Sequence, residues 1–110
     1  MDHTVEEVGD DAAVITLAGR VNMVTAPAVR ELITGIISAG RVRIAVDLDA
    51  VEFIDSSALG SLIGCLNAAR RANGDLRISR PTKHILAVLE VSNLIQLLRP
   101  YPSAHAALEA

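Results

Sequence analysis

The chain has 110 residues and a formal net charge of −3; 51% of its residues are apolar, yet it holds only one Phe, one Tyr and no Trp. This length supports a single hydrophobic core, so we expect one domain spanning residues 1–110. A weakly acidic chain without a basic stripe or clustered aromatic side chains is not expected to bind nucleic acid directly. No apolar run approaches the roughly 20 residues of a membrane helix, so no membrane association is expected.

The cysteine and histidine content gives no sign of a metal or catalytic centre. Cys65 is alone, so an internal disulfide is not possible, and a reducing cytoplasm is the favoured setting. His3, His84 and His105 lie far apart and lack the spacing of metal ligands. A glycine-rich phosphate loop is also missing. We therefore expect no metal, no cofactor and no catalytic residues.

The first elements in the chain are predicted to be two short strands. Residues 4–8 and 12–18 have the length and apolar character of strands, and Gly9-Asp10-Asp11 between them is a turn signal. Gly19 is expected to end the second strand. The pair is predicted to form an N-terminal hairpin.

A helix and a central strand are predicted next. Thr25 is the expected N-cap of an amphipathic helix, with Pro27 in its first turn and Gly40 as its stop. Apolar residues alternate over 42–48, and the intervening positions also turn apolar, which is typical of a buried strand. Residues 49–54 are expected to be a short connection.

The second half of the chain predicts three helices and two strands. Asp55, Thr82 and Ser103 are the expected N-caps, and strands are predicted at 76–78 and 95–98. The order is therefore β-β-α-β-α-β-α-β-α. This alternation predicts an α/β fold with a mixed, mostly parallel sheet of four to five strands and about four helices.

Two serines, Ser56 and Ser57, stand where the buried strand gives way to a helix. Helix N-termini present unpaired N–H groups and a positive dipole end, so a phosphoryl group on Ser56 would be accommodated there. It would add roughly two negative charges to an already acidic loop and repel an acidic partner. The acidic residues of the loop are Asp47, Asp49, Glu52 and Asp55. Serines at a helix start more often serve only as caps, and that interpretation stays open at this point.

Small residues occupy the side of this helix opposite its leucine stripe, where an exposed face normally carries charges. We interpret this side as a docking surface that lets a partner's backbone come close; another element of the same chain could also cover it. Gly64→Gln is expected to abolish partner binding without unfolding the domain. The small residues are Ser57, Gly60, Ser61, Gly64 and Ala68.

Two segments resemble a known family. Val46-Asp47-Leu48, followed by the segment Phe53-Ile54-Asp55-Ser56-Ser57-Ala58-Leu59-Gly60, closely resembles the signature of the STAS domain family, specifically of bacterial anti-anti-sigma factors. Gly19-Arg20-Val21-Asn22 with Thr25-Ala26-Pro27-Ala28-Val29-Arg30 resembles the family's second motif. The resemblance covers essentially the whole chain, and the predicted order of elements matches the family fold.

The resemblance implies a non-enzymatic switch. The partner would be an anti-sigma factor that is also a serine kinase with a histidine-kinase-like fold. The unphosphorylated chain would bind this partner and free a sigma factor. Phosphorylation on Ser56 would end the complex, and a metal-dependent serine phosphatase would restore it. A monomer is expected, with Asn22 and Asp55 joining Ser57, Gly60, Ser61 and Gly64 as partner-binding residues.

This chain departs from the family pattern at two positions. Asn22 stands where many members have Asp, in a loop that lies near the phosphorylation site in the family fold, and three alternatives for this departure stay open: a constitutively active protein, one refractory to its kinase, and one that is unchanged. Ala58 stands where Gly is often found, and Ala is the better helix former.

Two other functions are compatible with parts of the sequence. The string Asp47-Leu48-Asp49-Ala50-Val51 fits the motif of haloacid-dehalogenase-type phosphatases, which use such aspartates as nucleophile and magnesium ligands. The chain is short for that fold, and no later acidic pair completes a metal site. STAS domains also serve as transporter accessories and as scaffolds in stress signalling, and that role is the main alternative.

Overall fold

A five-stranded sheet with the spatial order β1-β2-β3-β4-β5 forms the centre of the molecule. The computed structural model describes residues 1–110. The predicted class, a mostly parallel mixed sheet with four helices, is confirmed. The elements are β1 (Asp2–Val8), β2 (Ala12–Val21), α1 (Ala26–Ser38), β3 (Arg43–Ile54), α2 (Ser56–Arg71), β4 (Asp75–Ser79), α3 (Lys83–Val91), β5 (Pro100–Tyr101) and α4 (Ala104–Glu109).

The sheet combines one antiparallel hairpin with parallel pairs. β1 pairs with β2 antiparallel, which confirms the predicted hairpin, while β2–β3, β3–β4 and β4–β5 are parallel. β3 lies in the middle, as predicted. Val21 pairs with Ile54, so the carboxyl ends of β2 and β3 lie side by side at one edge of the sheet. Ligand and partner sites of open α/β sheets usually lie at that edge.

Aliphatic side chains build the core on one face of the sheet. α1, α2 and α3 cover this face, and α4 covers part of the other through a small cluster around Ala107. Burying such side chains contributes about 25 cal/mol per Å² of apolar surface removed from water. The largest fully buried side chains are Ile15, Leu17, Ile33, Ile44, Leu48, Ile54, Leu59, Leu62, Leu66, Leu76, Ile78 and Ile85.

Two strands are longer than predicted. β2 does not end at Gly19 but continues to Val21, and residues 49–54 belong to β3 instead of forming a connection. The pairing of β2 with β3 continues over the added residues, with register shifts between Thr16 and Ala18 and between Gly19 and Arg20. Gly19 has a φ of +86° beside the second shift, a conformation that glycine adopts easily, so the strand bends and continues.

The predicted last strand at 95–98 is wrong. These residues form turns after α3, and Leu97 N and Leu98 N both donate to Leu94 O. The last strand is instead the short β5. Leu98 is apolar because it is buried in the main core, and a short apolar run does not reveal whether its backbone is extended or turned.

Candidate partner-binding site at the start of α2

Asp55 connects three parts of the structure. Its backbone N donates to Val21 O at 3.2 Å, which ties the end of β3 to the end of β2. One carboxylate oxygen accepts from Ala58 N at 2.9 Å, so the predicted N-cap is confirmed. The other accepts from Met23 N at 2.9 Å. Asp55 therefore holds the β2–α1 loop against the first turn of α2.

The β2–α1 loop begins with an Asx turn, in which the side chain of Asn22 accepts hydrogen bonds from the backbone that follows it. Asn22 Oδ1 accepts from Val24 N at 2.9 Å and from Thr25 N at 3.3 Å, while Thr25 Oγ1 accepts from Asn22 N at 2.9 Å. Thr25 occupies the N-cap position of α1, as predicted, but its side chain accepts no hydrogen bond from the N–H groups of that helix. The hydroxyl turns back to the loop because Asn22 N offers a closer donor. Asn22 lies beside the α2 start, and its role toward a partner stays a prediction.

Ser56 and Ser57 are exposed in the first turn of α2, and neither hydroxyl makes a hydrogen bond within the chain. Asp55 already occupies the capping position. The alternative in which these serines serve as helix caps is therefore wrong here. The Ser56 hydroxyl is free to react, and no structural bond would be lost by modifying it.

The small-residue face of α2 is only partly open. Ser57 and Gly60 are exposed, whereas Ser61 and Gly64 are half-buried. The guanidinium of Arg30, from α1, lies over Gly64: its Cζ is 3.5 Å from where a Cβ on Gly64 would stand. The alternative in which another element covers this face thus holds at Gly64, while the end near Ser56 remains accessible.

Two exposed apolar residues, Met23 and Val24, extend this accessible region. Their side chains are 69% and 80% exposed. The hydrogen bond from Met23 N to Asp55 holds them next to the α2 start. No motif in the sequence marks these two residues; the one signal for them is an apolar pair between the end of a strand and the N-cap of a helix, where polar residues are the norm.

Asp47 is buried and forms an ion pair with Arg80. No local sequence pattern indicates this contact. Arg80 donates to both of its carboxylate oxygens, at 3.1 and 2.6 Å, and Ser79 Oγ donates to Oδ1 at 3.1 Å. Burial alone would raise the pKa of Asp47, but the hydrogen bonds from Arg80 and Ser79 and the charge of Arg80 hold it below its usual value. Asp47 therefore has a structural role, holding Ser79 and Arg80 at the end of β4. A carboxylate engaged in this way is poorly placed as a phosphatase nucleophile.

The side chains of Arg20 and His84 pack against the Phe53 ring close to the site. The Arg20 guanidinium lies 4.5 Å from the centroid of its ring, and the His84 ring lies 5.5 Å away at an interplanar angle of 22°. This stack joins the ends of β2 and β3 to the first turn of α3. His84 thus packs on Phe53 at the surface.

The remaining reactive side chains do not assemble a second site. Cys65 is fully buried on α2, and burial raises its pKa, opposed by the charge of Arg30. No three His, Cys, Asp or Glu side chains come together as a metal site would require. None of the helices has the length and apolar character needed to cross a membrane.

Known proteins share both the sequence pattern and the fold. The STAS domain family model matches residues 4–107. The anti-sigma-B factor antagonist of Staphylococcus aureus is 27% identical over 84 residues, which cover 76% of this chain and 78% of that protein.

Two solved structures have the same architecture. An anti-sigma factor antagonist from Mycobacterium paratuberculosis superposes with a TM-score of 0.84 at 25% identity, over 98% of this chain and 91% of that one. The phosphorylated form of the Bacillus cell fate determinant SpoIIAA superposes with a TM-score of 0.74 at 22% identity, over 96% of both chains. Given the family match over nearly its full length, this chain belongs to the STAS domain family.

Proposed function

We propose that this STAS domain is an anti-sigma factor antagonist whose binding state is set by phosphate on Ser56. In the unphosphorylated form it binds an anti-sigma factor, and the sigma factor held by that protein is released. The observation that carries the proposal is the free, exposed Ser56 hydroxyl beside an N-cap already supplied by Asp55. The names of the relatives from Staphylococcus and Mycobacterium support the antagonist role.

The reaction at Ser56 is a phosphoryl transfer carried out by the partner. The anti-sigma factor acts as a serine kinase with a histidine-kinase-like fold and transfers the terminal phosphoryl group of ATP to Ser56 Oγ. ADP leaves and the hydroxyl proton is released. A metal-dependent phosphatase reverses the step with water, giving serine and inorganic phosphate. The antagonist is the substrate of both enzymes and needs no catalytic group of its own.

The local geometry suits a modification that changes charge and leaves the fold intact. The N–H groups of the first turn of α2 and the positive end of the helix dipole favour an anion at Ser56. The phosphate adds roughly two negative charges to a surface that already exposes Asp49 and Glu52. Loss of the complex then follows from electrostatic repulsion and steric conflict at the interface, with α2 still folded.

We further propose that the protein acts as a monomer in the cytoplasm. The lone buried Cys65 fits a reducing compartment, and the accessible surface at the start of α2 is the one the partner would use. Asn22, Asp55, Ser57, Gly60, Ser61 and Gly64 remain the proposed partner-binding residues. Of these, Asp55 holds the β2–α1 loop against the first turn of α2. Gly64 leaves room for the Arg30 guanidinium to lie against α2.

A pull-down from the native cytosol tests the proposal. Wild type, Ser56→Ala and Ser56→Glu are used as baits, and captured proteins are identified by mass spectrometry. Capture of an anti-sigma factor with a kinase fold by wild type and Ser56→Ala, and its loss with Ser56→Glu, is the expected result. Capture of a transporter subunit irrespective of Ser56 would instead assign the chain to the accessory class.

A further inference from the structure

Arg30 differs from most arginines of this chain in having no acidic partner. Arg41, Arg43, Arg70, Arg77 and Arg80 all form ion pairs with Asp or Glu side chains. Arg30 forms none, and no hydrogen bond holds its guanidinium. Its guanidinium lies instead against Gly64 of α2. Arg30 is therefore an exposed cation beside the face of α2 that carries Ser57 and Gly60.

Arg30 and the exposed apolar pair Met23–Val24 mark the two ends of one surface. Asp55 holds Met23 at the start of α2, and Gly64 seats Arg30 nine residues further along that helix. At a rise of 1.5 Å per residue the two ends are about 14 Å apart along the helix axis. That span fits the contact surface of a single protein partner, with apolar contact at one end and a charge at the other.

We infer that the anti-sigma factor presents a carboxylate to Arg30 and an apolar side chain to Met23 and Val24. This inference rests on the proposed function and adds the chemistry of the partner surface. A carboxylate is the group that an unpaired guanidinium recognises best, through paired N–H donors. Asn22 is uncharged, so this position of the loop offers no acidic side chain to Arg30, and the positive charge at the Arg30 end of the surface is available to a group of the partner.

The negative charge of the carboxylate inferred opposite Arg30 agrees with a switch that phosphorylation turns off, because a phosphate would repel that carboxylate. Ser56 precedes Gly64 by eight residues, about 12 Å along the helix. That distance is about one and a half times the Debye length of about 8 Å at physiological ionic strength, so salt screens most of the repulsion between a phosphate on Ser56 and a carboxylate at Arg30, and only a small part of it remains. The phosphate repels the carboxylate that Arg30 attracts.

Charge reversal at Arg30 tests the inference. The anti-sigma factor captured by wild type is purified, and its dissociation constants for wild type, Arg30→Glu, Arg30→Lys and Arg71→Glu are measured at low and high salt. Arg71 is a matched control because it is exposed on α2, forms no ion pair and lies at the opposite end of that helix. Thermal unfolding of each variant checks that the fold is retained.

Arg30→Glu is expected to weaken binding at least about 100-fold and to reduce its salt dependence, with Arg71→Glu within about twofold of wild type. A lysine in place of one acidic residue of the anti-sigma factor is expected to restore binding to Arg30→Glu. Met23→Ser with Val24→Ser is expected to weaken binding at least about tenfold, unlike Val91→Ser. Val91 is the matched apolar control, since it is 86% exposed at the end of α3.

Two results would overturn the inference in distinguishable ways. If wild type binds the anti-sigma factor and Arg30→Glu binds equally well, the carboxylate contact is absent while the proposed function stands. If no anti-sigma factor binds wild type or Ser56→Ala, the proposed function itself fails and the inference fails with it.

Discussion

The two ends of the sheet use their polar groups differently. At the amino end of β3, Arg41 donates to Gly9 O and Ala12 O and pairs with Glu7, while Gly74 packs directly on the Val42 carbonyl. At the carboxyl end, the Ser56 and Ser57 hydroxyls are free and Arg30 has no acidic partner. Met23 and Val24 are exposed there as well. The amino end is closed by its own contacts, and the carboxyl end leaves its groups available to another molecule.

This difference separates stability from function within one small domain. Substitutions of Arg41 or Gly74 at the amino end are expected to lower stability, because these residues make contacts within the chain. Substitutions at the carboxyl end are expected to change binding with little change in stability. Asp55 and Asp47 lie between these extremes, since each uses its carboxylate to hold a structural element near the site.

Gly74→Ala is expected to have the largest effect on stability. A Cβ at this position would stand 2.0 Å from Val42 O, so the β4 start must move. We expect a loss of about 3 kcal/mol in the free energy of unfolding, measured by denaturant titration. Gly35→Ala is the control: nothing lies within 4 Å of its Cβ position on α1, and a gain of about 0.5–1 kcal/mol is expected. Equal effects of the two substitutions would contradict the closed packing at the amino end.

Asp47→Asn is expected to lower stability in a pH-dependent way. At neutral pH we expect a loss of about 2 kcal/mol, a value already reduced for the solvent around the half-exposed Arg80. Because the folded-state pKa of Asp47 lies below its usual value, its contribution is full above the unfolded pKa and is lost as pH falls through the folded one. The difference in unfolding free energy between wild type and Asp47→Asn should therefore become smaller below a pH of about 4. A difference that stays constant through this range would exclude the ion pair with Arg80 as its source.

Asp55→Ala is expected to lower stability by about 1–2 kcal/mol through loss of the helix cap, and also to release the β2–α1 loop. Thr82→Ala removes the comparable cap of α3, where Thr82 Oγ1 accepts from Ile85 N, and serves as the control. Amide hydrogen exchange should show faster exchange at Met23 N only in Asp55→Ala. Unchanged exchange there would mean that the contact between Asp55 and Met23 does not hold the loop.

Gly64→Gln is expected to have the smallest effect on stability and a clear effect on binding. A Cβ at Gly64 meets only the guanidinium of Arg30, the far end of a flexible side chain. We expect a change below about 0.5 kcal/mol in unfolding free energy, because the helix propensity gained on replacing glycine by glutamine offsets the displacement of Arg30. Binding of the anti-sigma factor should nevertheless be lost, because the longer side chain displaces Arg30 and occupies the docking face. Gly64→Ala, which adds only the Cβ, should bind almost normally.

Local sequence signals predicted most of the fold and the centre of the site. Asp55 was identified as a cap because it precedes a leucine-periodic helix, and its hydrogen bond to Ala58 N depends only on neighbouring residues. The 95–98 segment was misassigned because burial of Leu98 gives the same apolar signal in a turn as in a strand. The contacts between Arg80 and Asp47 and between Arg30 and Gly64 join residues more than 30 positions apart. Pairings over such distances are set by the packing of the elements and have no local signature.

A phosphate on Ser56 is proposed to control binding of the anti-sigma factor without altering the fold. The most direct measurement is the affinity of the purified anti-sigma factor for the phosphorylated and unphosphorylated chain, with thermal unfolding recorded for both. We expect phosphorylation to weaken binding at least about 100-fold and to change the free energy of unfolding by less than about 0.5 kcal/mol. Equal affinity of the two forms, or loss of binding caused by unfolding, would contradict this proposal.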